Sequence, residues 1–176
     1  LDMTATENAV DGTARAEDGA RILADVAGAL GGLAQARGVA LRLETGTAWR
    51  STQGALLAPA LRNLLENAIL ASPSGVTVEA RLARDGDRVR FSVLDRGPGI
   101  AETDRPHVTE RFYRVETSRG TPGSGLGLTL VEAVAHLHAG TLAFAGDPDG
   151  GPGLRAVLQL GSGEAPRHGR GTEVQR

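Results

Sequence analysis

Apolar residues recur along this chain with two different periods. Leu23, Val26, Ala27, Leu30, Leu33 and Ala34 return every three to four residues, which predicts one helix from Asp18 onward that Gly38 can cap. Val39–Thr45 alternates and predicts a strand. Leu56–Leu70 predicts a second helix with a broad apolar face and Pro59 in its first turn. Two alternating runs, Val76–Ala83 and Arg88–Asp95, flank Asp85–Gly86 and predict a hairpin. Residues 96–123 are rich in Gly, Pro, Thr and Arg and lack a period; a loop of that length in a compact domain is usually functional. A helix is predicted from about Gly125 to His138, ended by Gly140. The strands Thr141–Gly146 and Leu154–Leu160 then form a last hairpin around "DPDGGPG".

Strands joined by hairpins exclude the alternating βα pattern of a doubly wound fold. The order predicts an α/β (α+β) two-layer sandwich, a mixed, mainly antiparallel sheet with helices on one face. Residues 1–17 are expected to be a linker or the tail of a preceding helix, 18–160 the domain, and 161–176 a disordered tail.

Composition narrows the function more than the fold. The 176 residues suit one core. A net charge of −2 without a basic run does not imply nucleic acid or an anionic membrane as partner. Without cysteine there is no disulfide or thiolate metal site, which fits a cytoplasmic domain. No apolar run approaches the roughly 20 residues that span a bilayer. The start at Leu1 suggests a piece of a larger protein, whose membrane segment or sensor would lie elsewhere. Every basic residue is arginine, so a phosphate loop of the lysine type is excluded.

Four stretches carry candidate chemistry. Asn63 and Asn67 lie four apart on one face of the second helix. They are either a capped or water-bonded pair or a metal and phosphate site, since Mg2+ takes oxygen ligands and an amide can supply one. "DRGPGI" (Asp95–Ile100) follows a strand. It is either a structural turn or a base-recognition turn, in which an aspartate accepts from an exocyclic amine such as adenine N6 and would meet guanine with an unpaired acceptor. "RFYR" puts the scarce aromatics Phe112 and Tyr113 beside Arg114 in the long loop, either to anchor it or to contact a ligand. Arg114 and Arg119 are free to reach an anion or simply to be solvated. "GSGLGLTL" (Gly123–Leu130) brings Gly123, Gly125 and Gly127 to a helix start, where backbone N–H groups can meet a phosphate.

In this order the four stretches resemble the ATP-binding catalytic domain of sensor histidine kinases, a branch of the GHKL ATPase/kinase superfamily. "NLLENAI" resembles the N box, "DRGPGI" the first glycine box, "RFYR" the F box and "GSGLGLTLVEAVAHLHAG" the second glycine box; the match runs from about Arg21 to Leu160. The resemblance implies ATP and Mg2+ as cofactors. It assigns Asn67 to the metal, Asp95 to adenine, and Gly97, Gly99 and Ile100 to the wall beside the base. Phe112 and Tyr113 would join the nucleotide site, as would Gly123, Gly125, Leu126, Gly127 and Leu128. Residues 101–122 would form an ATP lid, with Arg114 and Arg119 on the γ-phosphate. Asn63 stands where related ATPases carry a general-base glutamate, an exchange that suits a kinase better than a hydrolase.

The implied activity is that of a protein-histidine kinase. The implied partners are a dimerisation domain bearing the phosphoacceptor histidine, and a response regulator. The parent protein is expected to be a homodimer, with an inner-membrane sensor as one form it could take. None of His107, His136, His138 and His168 has the acceptor context. Leu70 and Ala71 depart from the family, which often has a basic residue and then an aromatic or histidine there. That departure is the support for a second hypothesis, a degenerate signalling module acting by protein contacts. A third is another ATPase of the superfamily.

Overall fold

A computed structural model of the chain describes residues 17–46, 49–51, 54–110 and 126–161. Strand β1 (Glu17–Asp18) leads into α1 (Gly19–Ala29) and α2 (Gly31–Arg37). Strands β2 (Ala40–Glu44) and β3 (Arg50–Ser51) precede α3 (Gly54–Ala71). The hairpin β4 (Thr77–Asp85) and β5 (Arg88–Leu94) comes next, then α4 (Gly127–Leu137), β6 (Thr141–Gly146) and β7 (Leu154–Leu160). The linker and tail expected over 1–17 and 161–176 lie outside the described residues, apart from Glu17 and Gly161.

Five strands form one sheet in the order β2-β4-β5-β7-β6. Only the β2–β4 pairing is parallel, with α3 in the crossover between them. The period-2 pattern turns Val78, Ala80 and Leu82 of β4 and Val89, Phe91 and Val93 of β5 inward. They meet Leu23 of α1, Leu57, Leu61, Leu65 and Ile69 of α3, and Val131 and Val134 of α4 in one core. The opposite face is polar. There Arg42, Glu44, Glu79 and Arg81 form ion pairs of 3.1–3.7 Å. The two-layer, mainly antiparallel sandwich read from the sequence is therefore the fold.

Two local expectations need correction, and a third feature is not expected from the sequence. The first predicted helix is two: Leu30 leaves helical geometry with ψ near −2°, and Gly31 and Gly32 follow it. Successive glycines weaken helix propagation, and the chain restarts as α2. Asp18 does cap α1, its Oδ1 accepting from Ala20 N at 2.9 Å, and Gly38 ends α2 with φ +65°. Second, Pro59 lies inside α3 rather than in its first turn, because the helix begins at Gly54. Third, the two-residue β1 and β3 pair with one another, and neither is long enough to show a period. Their pairing brings in Trp49, 4% exposed, which meets Phe91 edge-on with ring centroids 5.8 Å apart.

Candidate functional site

α3 is the floor of the site. Asn63 and Asn67 share its face, but the fold treats their amides differently. Asn63 Nδ2 donates to Pro59 O at 2.9 Å, one turn back on the same helix. Its Oδ1 lies against Gly127, the first residue of α4, so closely that a Cβ there would overlap it. Asn67 is exposed and takes no hydrogen bond from any described residue. One amide is thus committed to the α3–α4 junction and the other has a free carbonyl oxygen. α4 starts at Gly127 without a side-chain cap, so its first-turn N–H groups remain donors for an anion.

At the C-terminal end of α3 the chain reaches the Asp95 turn. Ser72 is buried; its Oγ donates to Ala68 O at 2.8 Å and accepts from Arg96 N at 3.2 Å. Gly97 packs on the end of the helix, where an added Cβ would sit 2.6 Å from Ala71 O. Four residues of helix rise about 6 Å, so Asn67 lies midway between the Gly127 contact at Asn63 and the Gly97 contact at Ala71.

Asp95 follows β5 and is 7% exposed. Its Oδ1 accepts from Gly97 N at 2.9 Å and from Leu154 N at 3.0 Å. Asp95 N in turn donates to Leu154 O at 3.0 Å. Two backbone donors therefore fix the carboxylate plane, while Oδ2 takes no hydrogen bond from a described residue. Burial pushes the Asp95 carboxyl above the usual carboxylate range, against the lowering pull of the Gly97 and Leu154 N–H groups and the Arg96 guanidinium. A buried acceptor with one open oxygen suits an exocyclic amine.

The wall beside Asp95 comes from two loops. Gly99 takes φ +74° and faces Gly153 O, 3.1 Å from where its Cβ would be. Gly153, with φ +146°, lies against the Asp95 carbonyl. The sequence presents 147–153 only as a hairpin connection; its role as wall is found only in the fold. The same holds for Ser72 and Leu154, neither of which carries a motif signal.

Ile100 O accepts from Arg105 Nε at 3.0 Å, which fastens the start of the expected lid. Residues 102–109 are turns rather than plain loop, Val108 is buried, and Thr129 Oγ1 of α4 donates to Thr109 O at 2.9 Å. Leu128 packs on the core and Leu126 is 42% exposed. Phe112, Tyr113, Arg114, Arg119, Gly123 and Gly125 lie outside the described residues.

The family described as histidine kinase-, DNA gyrase B- and HSP90-like ATPase matches residues 52–175. Among curated proteins, the sensor-like histidine kinase SenX3 of Mycolicibacterium smegmatis is 43% identical over 98 residues, covering 54% of this chain and 26% of that protein. The chain spans about a quarter of the length of the curated relatives it matches. Among solved structures, a mycobacterial sensor histidine kinase MprB superposes with a TM-score of 0.71 at 30% identity, over 84% of this chain and 96% of that one. Full-length ShkA in complex with AMPPNP gives a TM-score of 0.71 at 28% identity, over 86% of this chain and 32% of that one. With the sandwich, the Asp95 turn and the α3–α4 junction in place, the chain belongs to the histidine kinase-, DNA gyrase B- and HSP90-like ATPase family, and it is an ATP-binding catalytic domain of the sensor histidine kinase type.

Proposed function

We propose that this domain binds Mg2+–ATP and presents the γ-phosphoryl group to a histidine on a dimerisation domain outside the chain, for relay to a response regulator aspartate. The observation that carries the reading is the row along α3. An open carboxylate oxygen stands at one end, an unbonded asparagine amide in the middle and an uncapped helix start at the other.

Asp95 Oδ2 would accept from adenine N6, with Gly97, Gly99 and Ile100 beside the ring. Asn67 Oδ1 would hold Mg2+, and the first-turn N–H groups of α4 would meet phosphate oxygens. Among the described residues no group of three His, Cys, Asp or Glu side chains could hold a metal alone, so the remaining ligands would be phosphate and water oxygens. When bound, Mg2+ neutralises charge on the transferring phosphoryl group. Arg114 and Arg119 would do the same from the lid. Asn63 cannot take a proton from water, so the chain by itself favours holding ATP over hydrolysing it. The domain would work in the cytoplasm as part of a homodimeric sensor. No helix among the described residues is long and apolar enough to cross a membrane.

The test is transfer of label from radiolabelled ATP. The chain alone is expected to release phosphate slowly and to remain unlabelled. With the dimerisation domain added, a label should form that is lost in acid and survives base, as a phosphoramidate does, and Asn67→Ala should abolish it. Rapid hydrolysis by the chain alone, lost in Asn63→Ala, would overturn the kinase reading in favour of an ATPase.

Binding should also depend on pH. The Asp95 carboxyl must be ionised to accept, and its pKa is raised by burial. ATP affinity is therefore expected to fall as pH drops through that raised value. Titration across mildly acid buffers should show this limb, and Asp95→Asn should lack it. An identical limb in both proteins would remove Asp95 from base recognition.

A further inference from the structure

The hydrogen bonds already described fix the backbone of the Asp95 turn. The Arg96 side chain leaves that turn in another direction. Its Nη1 donates to Asp147 Oδ2, and its Nη2 lies 3.3 Å from Glu79 Oε1 on β4. Asp147 is the first residue after β6, 51 positions along the chain, and its side chain is 1% exposed. Its Oδ1 accepts from Asp149 N at 3.1 Å. Gly151 closes over the other oxygen: a Cβ there would sit 2.9 Å from Oδ2.

A carboxylate removed from water costs several kcal/mol unless it is paired and hydrogen-bonded. Asp147 meets both conditions, and the loop folds around the pair. This is the loop whose Gly153, with the adjoining Leu154 of β7, touches Asp95. The ion pair therefore joins the two loops that form the wall beside Asp95. Glu79 extends it to Arg42 of β2, 3.7 Å away, so the brace is continuous with the ion pairs on the open face of the sheet.

We propose that Arg96 and Asp147 are positioning residues for base recognition: their ion pair, buried on the Asp147 side, braces the Asp95–Gly97 turn against the β6–β7 loop and so fixes the direction in which Asp95 Oδ2 faces the base. The inference rests on the reading of Asp95 as the base acceptor. On that reading both side chains act through Asp95 rather than on the nucleotide. A shift of the turn by a fraction of an ångström would misalign a single hydrogen bond and leave the phosphate contacts at the other end of α3 unchanged. Discrimination between bases should therefore suffer more than overall binding of a triphosphate.

The experiment is calorimetric titration of the 176-residue chain with Mg2+–ATP and Mg2+–GTP. The wild type is compared with Arg96→Gln, Asp147→Asn, their double variant and Arg96→Lys. Each neutral substitution is expected to lower ATP affinity about tenfold, the scale of one misaligned charge-assisted hydrogen bond, with little change for GTP. The double variant should lose no more than either single one, because the two residues act as one unit. Arg96→Lys, which keeps the charge but not the fork, should recover part of the loss. If the neutral variants do not fold, Glu79→Gln removes only the partly exposed partner and should lower the ATP-to-GTP ratio by a smaller factor. An unchanged ratio in folded variants, or losses that simply add, would overturn the brace. A wild type that binds both nucleotides equally would instead overturn the reading of Asp95, and the brace with it.

Discussion

Asp95→Asn is expected to weaken ATP binding by ~1–3 kcal/mol while leaving the fold at least as stable at neutral pH. The two effects separate because the two carboxylate oxygens have different work. Oδ1 holds the Gly97 and Leu154 N–H groups, and an asparagine carbonyl can do that equally well. Oδ2 would become an NH2 group, which presents a donor to the adenine donor. The stability side follows from the raised pKa. A carboxyl whose folded-state pKa lies above its unfolded value favours folding most below the unfolded pKa, and that contribution is lost as pH rises through the folded one. Ionised Asp95 therefore opposes folding at neutral pH, and asparagine removes the burden. Calorimetry with ATP and thermal melts at neutral and acid pH measure both. A melting point several degrees lower with unaltered ATP affinity would mean that Asp95 is structural.

Gly153→Ala is expected to cost roughly 2–5 kcal/mol, the sum of backbone strain and steric overlap. Gly153 combines φ +146° with a position where a Cβ would run into the Asp95 carbonyl, which belongs to the backbone and cannot swing aside. Gly150, in the same loop, takes φ +75° but has nothing within 4 Å of where a Cβ would stand. Gly150→Ala thus carries the strain alone, and about 1 kcal/mol is expected. Urea unfolding of the two variants measures the difference. Equal costs would show that the β6–β7 loop is not pressed against Asp95. With Asp95 as the proposed base acceptor, Gly153→Ala should also weaken ATP binding in whatever fraction remains folded, because the displaced carbonyl belongs to Asp95.

Sequence reasoning succeeded where the physical cause is local. The alternation of β6 and β7 sets their ends at Thr141–Gly146 and Leu154–Leu160, the residues found in the sheet. The hairpin expected around Asp85–Gly86 forms, but one residue later: Asp85 pairs with Arg88, the loop is Gly86–Asp87, and Gly86 at its first position takes φ +61°. Asn63 and Asn67 share a helix face by spacing alone, although which amide is already bonded depends on Pro59 and Gly127. What escaped is set by distant partners. Arg96 and Asp147 stand 51 residues apart, and Asp95 and Leu154 stand 59 apart, so no local pattern links them. Trp49 lies between runs too short to show a period, and its place in the core depends on a two-residue pairing. The break at Leu30 reflects a conflict between a continuous apolar stripe and a glycine pair, which the stripe lost.

The strand order governs when this domain can be assembled. β7 lies between β5 and β6, so the central strand waits for a partner more than sixty positions further along the chain. During synthesis β4 and β5 can close their hairpin early, yet the free edge of β5 stays open until Leu160 has left the ribosome. Asp95 must wait as well, since the Leu154 N–H that orients it belongs to the same late strand. A nascent chain stopped before β7 would expose the edges of both β5 and β6 and invite pairing with neighbouring chains. If Asp95 is the base acceptor proposed above, nucleotide capture is thereby tied to completion of the sheet, because a partly made chain lacks the donor that orients it.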